Sequence, residues 1–439
     1  YQLSKDVPYS LNRSFDQKTG YRTKSILAIP LANKQKEVIG VLQFINRKKA
    51  RSLKVSDEKS AFAYTLPFDS DINVLLQALA SQAGIAIENT VLQNDIKALF
   101  EGFVNASVSA IEQRDPTTSG HSFRVADLCV DLAASVSASN LTRMRNVHFT
   151  DSEVRELKYA ALLHDFGKVS VRESVLVKEK KLTAGSLENI QYRIWLAQEK
   201  LRTIALRKQL EMYRSGNAVE SEMQIINAEA EADIKLLNEF FATIVEANEP
   251  SILKEDNKEM LDKISGYNFE ALDNDLQIIT EDEFNLLSIK KGSLSPSERK
   301  EIESHVVHTQ SFLNHIPWTK EFQNVPTIAG AHHEKLDGSG YPYGMTADQI
   351  PLPSKIMTVC DIFDALTASD RPYKPAMGLD RALDILRIES KQGYLDNDLV
   401  QIFIDAKVCK CIESKVYSST NSATGTSNHP CAHDLHEHS

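Results

Sequence analysis

Two adjacent imidazoles, His332 and His333, open the run His332-His333-Glu334-Lys335-Leu336-Asp337-Gly338-Ser339-Gly340-Tyr341-Pro342. Imidazole suits divalent transition metals, and a loop with Gly338 and Gly340 can take backbone angles that bring its amides close to a ligand. The run describes a site without naming a reaction. Upstream, His164-Asp165, with Lys168 three residues after the Asp, lies in a helical pattern carried by Tyr159, Ala160, Leu162 and Leu163. That pair offers a ligand imidazole and a carboxylate able to bridge two metal ions.

Together these segments resemble the HD-GYP family of cyclic-dinucleotide phosphodiesterases, an offshoot of the HD metal-dependent phosphohydrolases. Phosphodiester hydrolysis at neutral pH needs a nucleophilic water and a neutralised developing charge, and two metal ions about 3.5–4 Å apart supply both. Three more positions match the family pattern in order and context. They are His121 in Ser119-Gly120-His121-Ser122-Phe123-Arg124, His305 on the helix that begins near Pro296, and Asp361 in Val359-Cys360-Asp361-Ile362-Phe363-Asp364. The resemblance implies that His121, His164, Asp165 and Asp361 hold one ion, while His305, His332, His333 and the bridging Asp165 hold the second. Iron or manganese is expected, because a mixed His and carboxylate set with open positions suits those ions better than a closed tetrahedral zinc site. Some family members add a third ion through a Glu four residues before the first His; Thr117 stands there, so two ions are expected.

Asp165 and Lys168 are the expected catalytic residues, with the Lys168 ammonium set against a non-bridging phosphate oxygen. Lys168, Gly338, Gly340, Tyr341, Pro342 and Arg371 are the expected substrate-binding residues, Pro342 limiting the freedom of its loop. For Arg371, in Arg371-Pro372-Tyr373-Lys374, pairing with phosphate and anchoring the fold stand as equal readings. His148, His308 and His315 match nothing in the pattern and read as structural or surface residues. The implied activity is hydrolysis of cyclic di-GMP to linear pGpG and, with a second cleavage, GMP, by attack of a metal-activated hydroxide on phosphorus. 3'3'-cyclic GMP-AMP is the rival substrate, and no residue decides between the two. A non-catalytic receptor that binds the dinucleotide or a diguanylate cyclase partner through the Gly-Tyr-Pro loop is the rival from another class. Its signature would be loss of a ligand or of Tyr341, and neither is lost.

The elements that must position these residues belong to a chain of 439 residues, 42% hydrophobic and 25% charged, long enough for two to three ordinary globular domains. A net charge of −10 disfavours a nucleic-acid polymer as partner and leaves room for a small phosphorylated ligand at a local site. Five thinly spread cysteines argue against a disulfide framework and for a reducing, cytoplasmic compartment. No apolar run approaches the roughly 20 residues of a membrane span. The chain starts at Tyr1, in mid-domain by this reading, so more sequence is expected before it.

Residues 25–46 read as two β-rich runs around a polar turn at Asn33–Lys36, a hairpin. With Asp16-Gln17-Lys18-Thr19-Gly20-Tyr21 before it and Gln77–Asn89 after it, this part resembles the second half of a GAF sensory domain over residues 1–90. Ligand sensing and a purely dimerising, relaying role remain open for it. From Ile72 to Phe103 apolar residues recur every three or four positions, so a long helix is expected, with a linker at 91–108 able to pair with its copy in a homodimer. The expected fold is thus multidomain: an α+β GAF-like domain, then an all-α HD-GYP unit over 109–410. That unit is split by a helical insertion at 184–290. Patterns at about 186–213 and 219–247, separated by Ser215-Gly216-Asn217, suggest an antiparallel helical hairpin there, its charged face either solvated or docking a signalling partner. The Ser-, Thr- and His-rich tail at 411–439 is expected to be disordered.

Overall fold

The computed structural model describes residues 14–115, 119–141, 143–217, 219–271, 274–368 and 377–410. Thr117, Arg371 with the rest of its Arg-Pro-Tyr-Lys stretch, and the 411–439 tail lie outside the described residues. The chain divides into two compact units, Tyr1–Phe103 and Val104–Ser439. Among the described residues no helix is long and apolar enough to cross a membrane.

In the first unit helix α1 (Ser14–Thr19) precedes a hairpin of β1 (Ile26–Ala32) and β2 (Val38–Ile45), antiparallel with Ile26 opposite Ile45. The turn expected at Asn33 is closed by the Asn33 side chain, whose oxygen accepts the Glu37 amide at 2.8 Å. A short ladder of β3 (Arg47–Lys48) with β4 (Thr65–Leu66) flanks α2 (Glu58–Tyr64), which Asp57 and Ser60 cap reciprocally. Ile29 and Leu31 of β1 are buried against Ala80 of α3 (Ser70–Arg114), a single helix of 45 residues. Val74, Leu75, Leu79, Ile87, Val91, Leu92, Ile96, Leu99 and Phe103 are exposed along it.

The second unit is helical because its apolar residues keep a three-to-four spacing. In α4 (His121–Ser137), Val125, Leu128, Cys129, Leu132 and Val136 are all buried on one face. That face packs on α5 (Asp151–Leu163) and α14 (Leu352–Thr367), while α5 is started by a Thr150/Glu153 capping box. After α5 come a 3-10 turn (Phe166–Ser170) and α6 (Glu173–Leu176). The chain then leaves for α7 (Ala184–Arg214), α8 (Glu220–Ala247), α9 (Glu255–Ser265), the hairpin β5 (Asn268–Ala271) with β6 (Asn274–Gln277), and α10 (Glu281–Leu287). It returns through α11 (Pro296–Glu303), α12 (His305–Asn314) and α13 (Val325–Gly330), and after α14 closes with α15 (Leu379–Lys391) and α16 (Asn397–Asp405).

Helices α7 and α8 are antiparallel, as expected, with Gln198 bonded to Asn238 and Gln209 to Asn227. The segment is more than a hairpin, however. Ile190, Ile194, Leu237, Phe240 and Ile244 form one core with Leu261, Ile264, Ile278 and Leu287 from the later elements. Its two ends meet, where Ser293 donates to the Lys178 carbonyl at 2.9 Å and Lys178 Nζ lies 2.8 Å from Glu298, and the Lys181 and Leu182 amides tie the entry to Asn248 at the end of α8. One helix was expected from Pro296 through His305, but two are present. The Ser304 hydroxyl donates to the Glu301 carbonyl at 2.6 Å at the junction, a bond of the kind that bends a helix, and His305 opens the second helix. Because Leu237 is fully buried in the core of the 184–290 segment, Leu237→Ala should cost about 2–5 kcal/mol of that core's stability. Urea unfolding followed by Trp195 fluorescence checks this, and an unshifted midpoint would show that the segment is held by something else.

Candidate metal centre

The ligand-type side chains come from five places in the second unit. His121 opens α4, His164 caps the end of α5, and Asp165 leads into the 3-10 turn. His305 opens α12, His332 and His333 follow α13, and Asp361 sits inside α14. The fold brings all seven together. All are buried except His333, which is partly exposed. Three triads have donor atoms within 4.8 Å of one another: His121, His164 and Asp361; His305, His332 and His333; and His164, Asp165 and His332, which joins the other two.

Asp165 faces both groups with different oxygens. Its Oδ2 lies 3.4 Å from His164 Nε2 and 3.9 Å from His121 Nε2, whereas Oδ1 lies 3.4 Å from His305 Nε2. Asp361 Oδ1 lies 3.1 Å from His121 Nε2, and its Oδ2 lies 4.0 Å from His333 Nδ1.

Tautomers are set from behind. The Nδ1 atoms of His164, His305 and His332 each donate at 2.6 Å to the carbonyl three residues earlier, of Ala161, Ile302 and Ala329. A carbonyl only accepts, so the proton is on Nδ1 and the Nε2 lone pair points inward. His305 Nε2 and His332 Nε2 are buried and make no hydrogen bond in the structure. Burying an unsatisfied polar nitrogen is costly, and a cation at these lone pairs would relieve the cost. His121 differs: its Nδ1 lies 2.7 Å from Asp364 Oδ2, and Asp364 in turn accepts from Arg124 Nε at 2.7 Å.

The charge states suit a cation. Burial holds the His332 and His164 imidazoles below their usual value and lowers His333 to about 4, so these rings are neutral donors. Burial works against ionisation of Asp165, but Lys168, His164 and His305 outweigh it and hold the carboxyl well below its usual range. Burial likewise opposes the Asp361 carboxylate and is outweighed by His121. His121 itself, despite burial, is raised to about 9 by Asp361 and Asp364. The donor set fits a pair of divalent ions through two ionised carboxylates and the inward lone pairs of His164, His305 and His332, with no closed tetrahedron of soft ligands; His121 would join it by giving up a proton as an ion binds.

At the rim, Lys168 Nζ lies 2.9 Å from Asp165 Oδ2 and 3.2 Å from Asp115 Oδ2. The Tyr341 ring lies 4.8 Å from the His333 ring, and its amide donates to the His333 carbonyl at 3.2 Å. The Gly-Tyr-Pro loop is shaped by Glu334, whose two oxygens accept the amides of Tyr343 at 2.7 Å and Met345 at 2.9 Å. Gly338 has φ 80°, and a side chain at Gly340 would collide with the Glu334–Lys335 backbone. Pro342 follows a cis peptide bond in this loop.

Several supporting residues were not singled out from sequence. Asp364, Arg124, Asp115 and Glu334 are polar residues within a few positions of a ligand, which is a weak signal. Thr309 and Thr358 donate to the carbonyls of His164 and His332 at 2.9 Å, contacts that only the fold creates. Gly167 is another, since a Cβ there would collide with the His305 carbonyl and the Thr309 amide.

Comparison with known proteins adds to this geometry. Residues 118–240 and 282–399 each match an HD domain. The second unit carries HD-domain sequence. The 3'3'-cGAMP-specific phosphodiesterase 3 of Vibrio cholerae is 43% identical over 102 residues, 23% of this chain and 21% of that protein. The 3'3'-cGAMP-specific phosphodiesterase 1 of the same organism is 37% identical over 115 residues, 26% of each chain. The cyclic di-GMP phosphodiesterase response regulator RpfG of Xanthomonas campestris pv. campestris is 52% identical over 59 residues, 13% of this chain and 15% of that protein. The matches thus span about a quarter or less of these relatives.

Gly167→Ala should push the His164–Asp165 turn away from α12 and lower the bound metal. Metal content by plasma mass spectrometry, with circular dichroism to check folding, tests this; full metal occupancy in the variant would refute the contact.

Proposed function

We propose that the chain is a metal-dependent phosphodiesterase that hydrolyses a cyclic dinucleotide, cyclic di-GMP, to linear pGpG and onward to GMP. The observation that carries the reading is Asp165 between two groups of imidazoles, supported by relatives named for cyclic di-GMP and 3'3'-cGAMP phosphodiesterase activity. His121, His164, Asp165 and Asp361 would hold one ion, and His305, His332, His333 and Asp165 the other. Two divalent ions, iron or manganese, would supply a water acidic enough to attack at neutral pH and would neutralise charge on the phosphate. Lys168, held charged by Asp165 and Asp115, presents an ammonium to a phosphate oxygen as negative charge develops. Tyr341 and the loop held by Glu334 border the site, where the ring offers a surface for a base. A second reading, 3'3'-cyclic GMP-AMP as substrate, is favoured by the two Vibrio cholerae relatives specific for that compound.

The same proposal covers the rest of the chain. Residues 1–90 are the C-terminal half of a GAF-like domain, 91–108 a linker helix, and 109–410 an HD-GYP unit into which 184–290 is inserted. The exposed apolar residues of α3 support homodimerisation, because a narrow apolar stripe is buried by a second copy. A diguanylate cyclase or other signalling partner, and a cytoplasmic location, complete the reading.

Metal-replete protein incubated with each cyclic dinucleotide should release the linear product, and Asp165→Ala should lower the rate by about 10²–10³-fold, the scale of losing a preorganised charge-stabilising group. Chelation of metal should abolish turnover and re-addition restore it. If wild type turned over neither compound with iron or manganese, the enzyme reading would fall.

A further inference from the structure

We infer that Asp364, held by Arg124, is the positioning residue for His121 and thereby sets the affinity of one ion of the pair. The inference rests on the two-ion reading above. Three site imidazoles fix their tautomer through the carbonyl three residues earlier, which a preceding helical turn supplies. His121 opens α4 after Gly120, whose φ is +67°, and its Nδ1 meets a side chain instead. The fold supplies the Asp364 carboxylate, 1% exposed, at 2.7 Å.

The arrangement is an interlock of two helices. His121 and Arg124 are three residues apart on α4, and Asp361 and Asp364 are three apart on α14, so each pair shares a helix face. Asp361 meets His121 Nε2 at 3.1 Å from the front, and Asp364 meets Nδ1 from the back. Arg124 grips Asp364 through Nε to Oδ1 at 2.7 Å and a terminal nitrogen to Oδ2 at 3.1 Å. A carboxylate behind an imidazole orients the ring and raises its basicity as a donor, more so than a neutral carbonyl. The contact acts on His121, and through it on the ion shared with His164 and Asp361. In the other group the Nδ1 atoms of His305 and His332 meet backbone carbonyls instead.

The test uses the full chain, stripped with chelator and titrated with Mn(II) by calorimetry. Asp364→Asn should weaken one of two binding events by about 10–100-fold and leave the other unchanged. Arg124→Lys should weaken the same event less. His121→Ala identifies that event, and His332→Ala should remove the other. Cobalt(II) substitution gives an independent readout, in which Asp364→Asn should change the visible absorption of only one ion. Equal affinities in wild type and Asp364→Asn would overturn the inference. So would loss of both ions together with a lower unfolding midpoint of the metal-free protein, which would mark Asp364 as a general structural support. If wild type took up one ion only, the two-ion reading would fail, and agreement between Asp364→Asn and His121→Ala on that ion would still decide the role of Asp364.

Discussion

A single buried carboxylate with its two oxygens turned to different neighbours is the constraint around which the second unit is arranged. Asp165 stands where the end of α5, the start of α4 and the start of α12 converge, and it reaches His164 and His305 at 3.4 Å with separate oxygens. An ionised group in a dry interior is expensive unless it is paired. Lys168 supplies one partner at 2.9 Å, and the surrounding imidazoles supply the rest. Neutral His164, His332 and His333, two ionised acids and the half-buried Lys168 ammonium are interdependent: move the Asp165 carboxylate, and the lysine loses a charged partner while the imidazoles around it lose their common neighbour.

The helices serve this set mainly through their ends. His121, His164, His305 and the His332–His333 pair all sit at or just beyond a helix terminus, where carbonyls or side chains remain free to hold the rear of an imidazole. Asp361 is the exception, inside α14, and it carries Asp364 on the same face. Close packing then fixes the depth of each ring. Gly167 permits the 3-10 turn to touch α12, and Thr309 bridges the two by accepting from the Gly167 amide and donating to the His164 carbonyl.

Residue types and local wording made much of this legible. The hairpin at 26–45, the long helix from Ser70, the antiparallel pair α7 and α8, and the set of seven ligand-type residues all followed from periodicity, turn residues or resemblance. What escaped was what depends on contact between distant segments. The junction at Ser304 lies within an otherwise helical pattern with no Pro or Gly beside it. The elements after α8, from α9 to α10, are short, and only contact between distant segments shows that they complete a core with Ile190 and Phe240. Asp364 looked like one more polar residue on a helix until α4 was packed against it. Arg371 lies outside the described residues, so its two readings stand as they were.

The meeting of Lys178 with Glu298 has an entropic consequence. His164 and His305 are 141 positions apart, and closing so long a flexible loop before any ligand could bind would slow and weaken assembly of the site. A segment that folds on its own core and pins its entry beside its exit replaces that flexible loop with a rigid, closed one. To the histidines, the chain between them is then effectively short, and added length in the 184–290 segment can vary with little penalty at the metal centre.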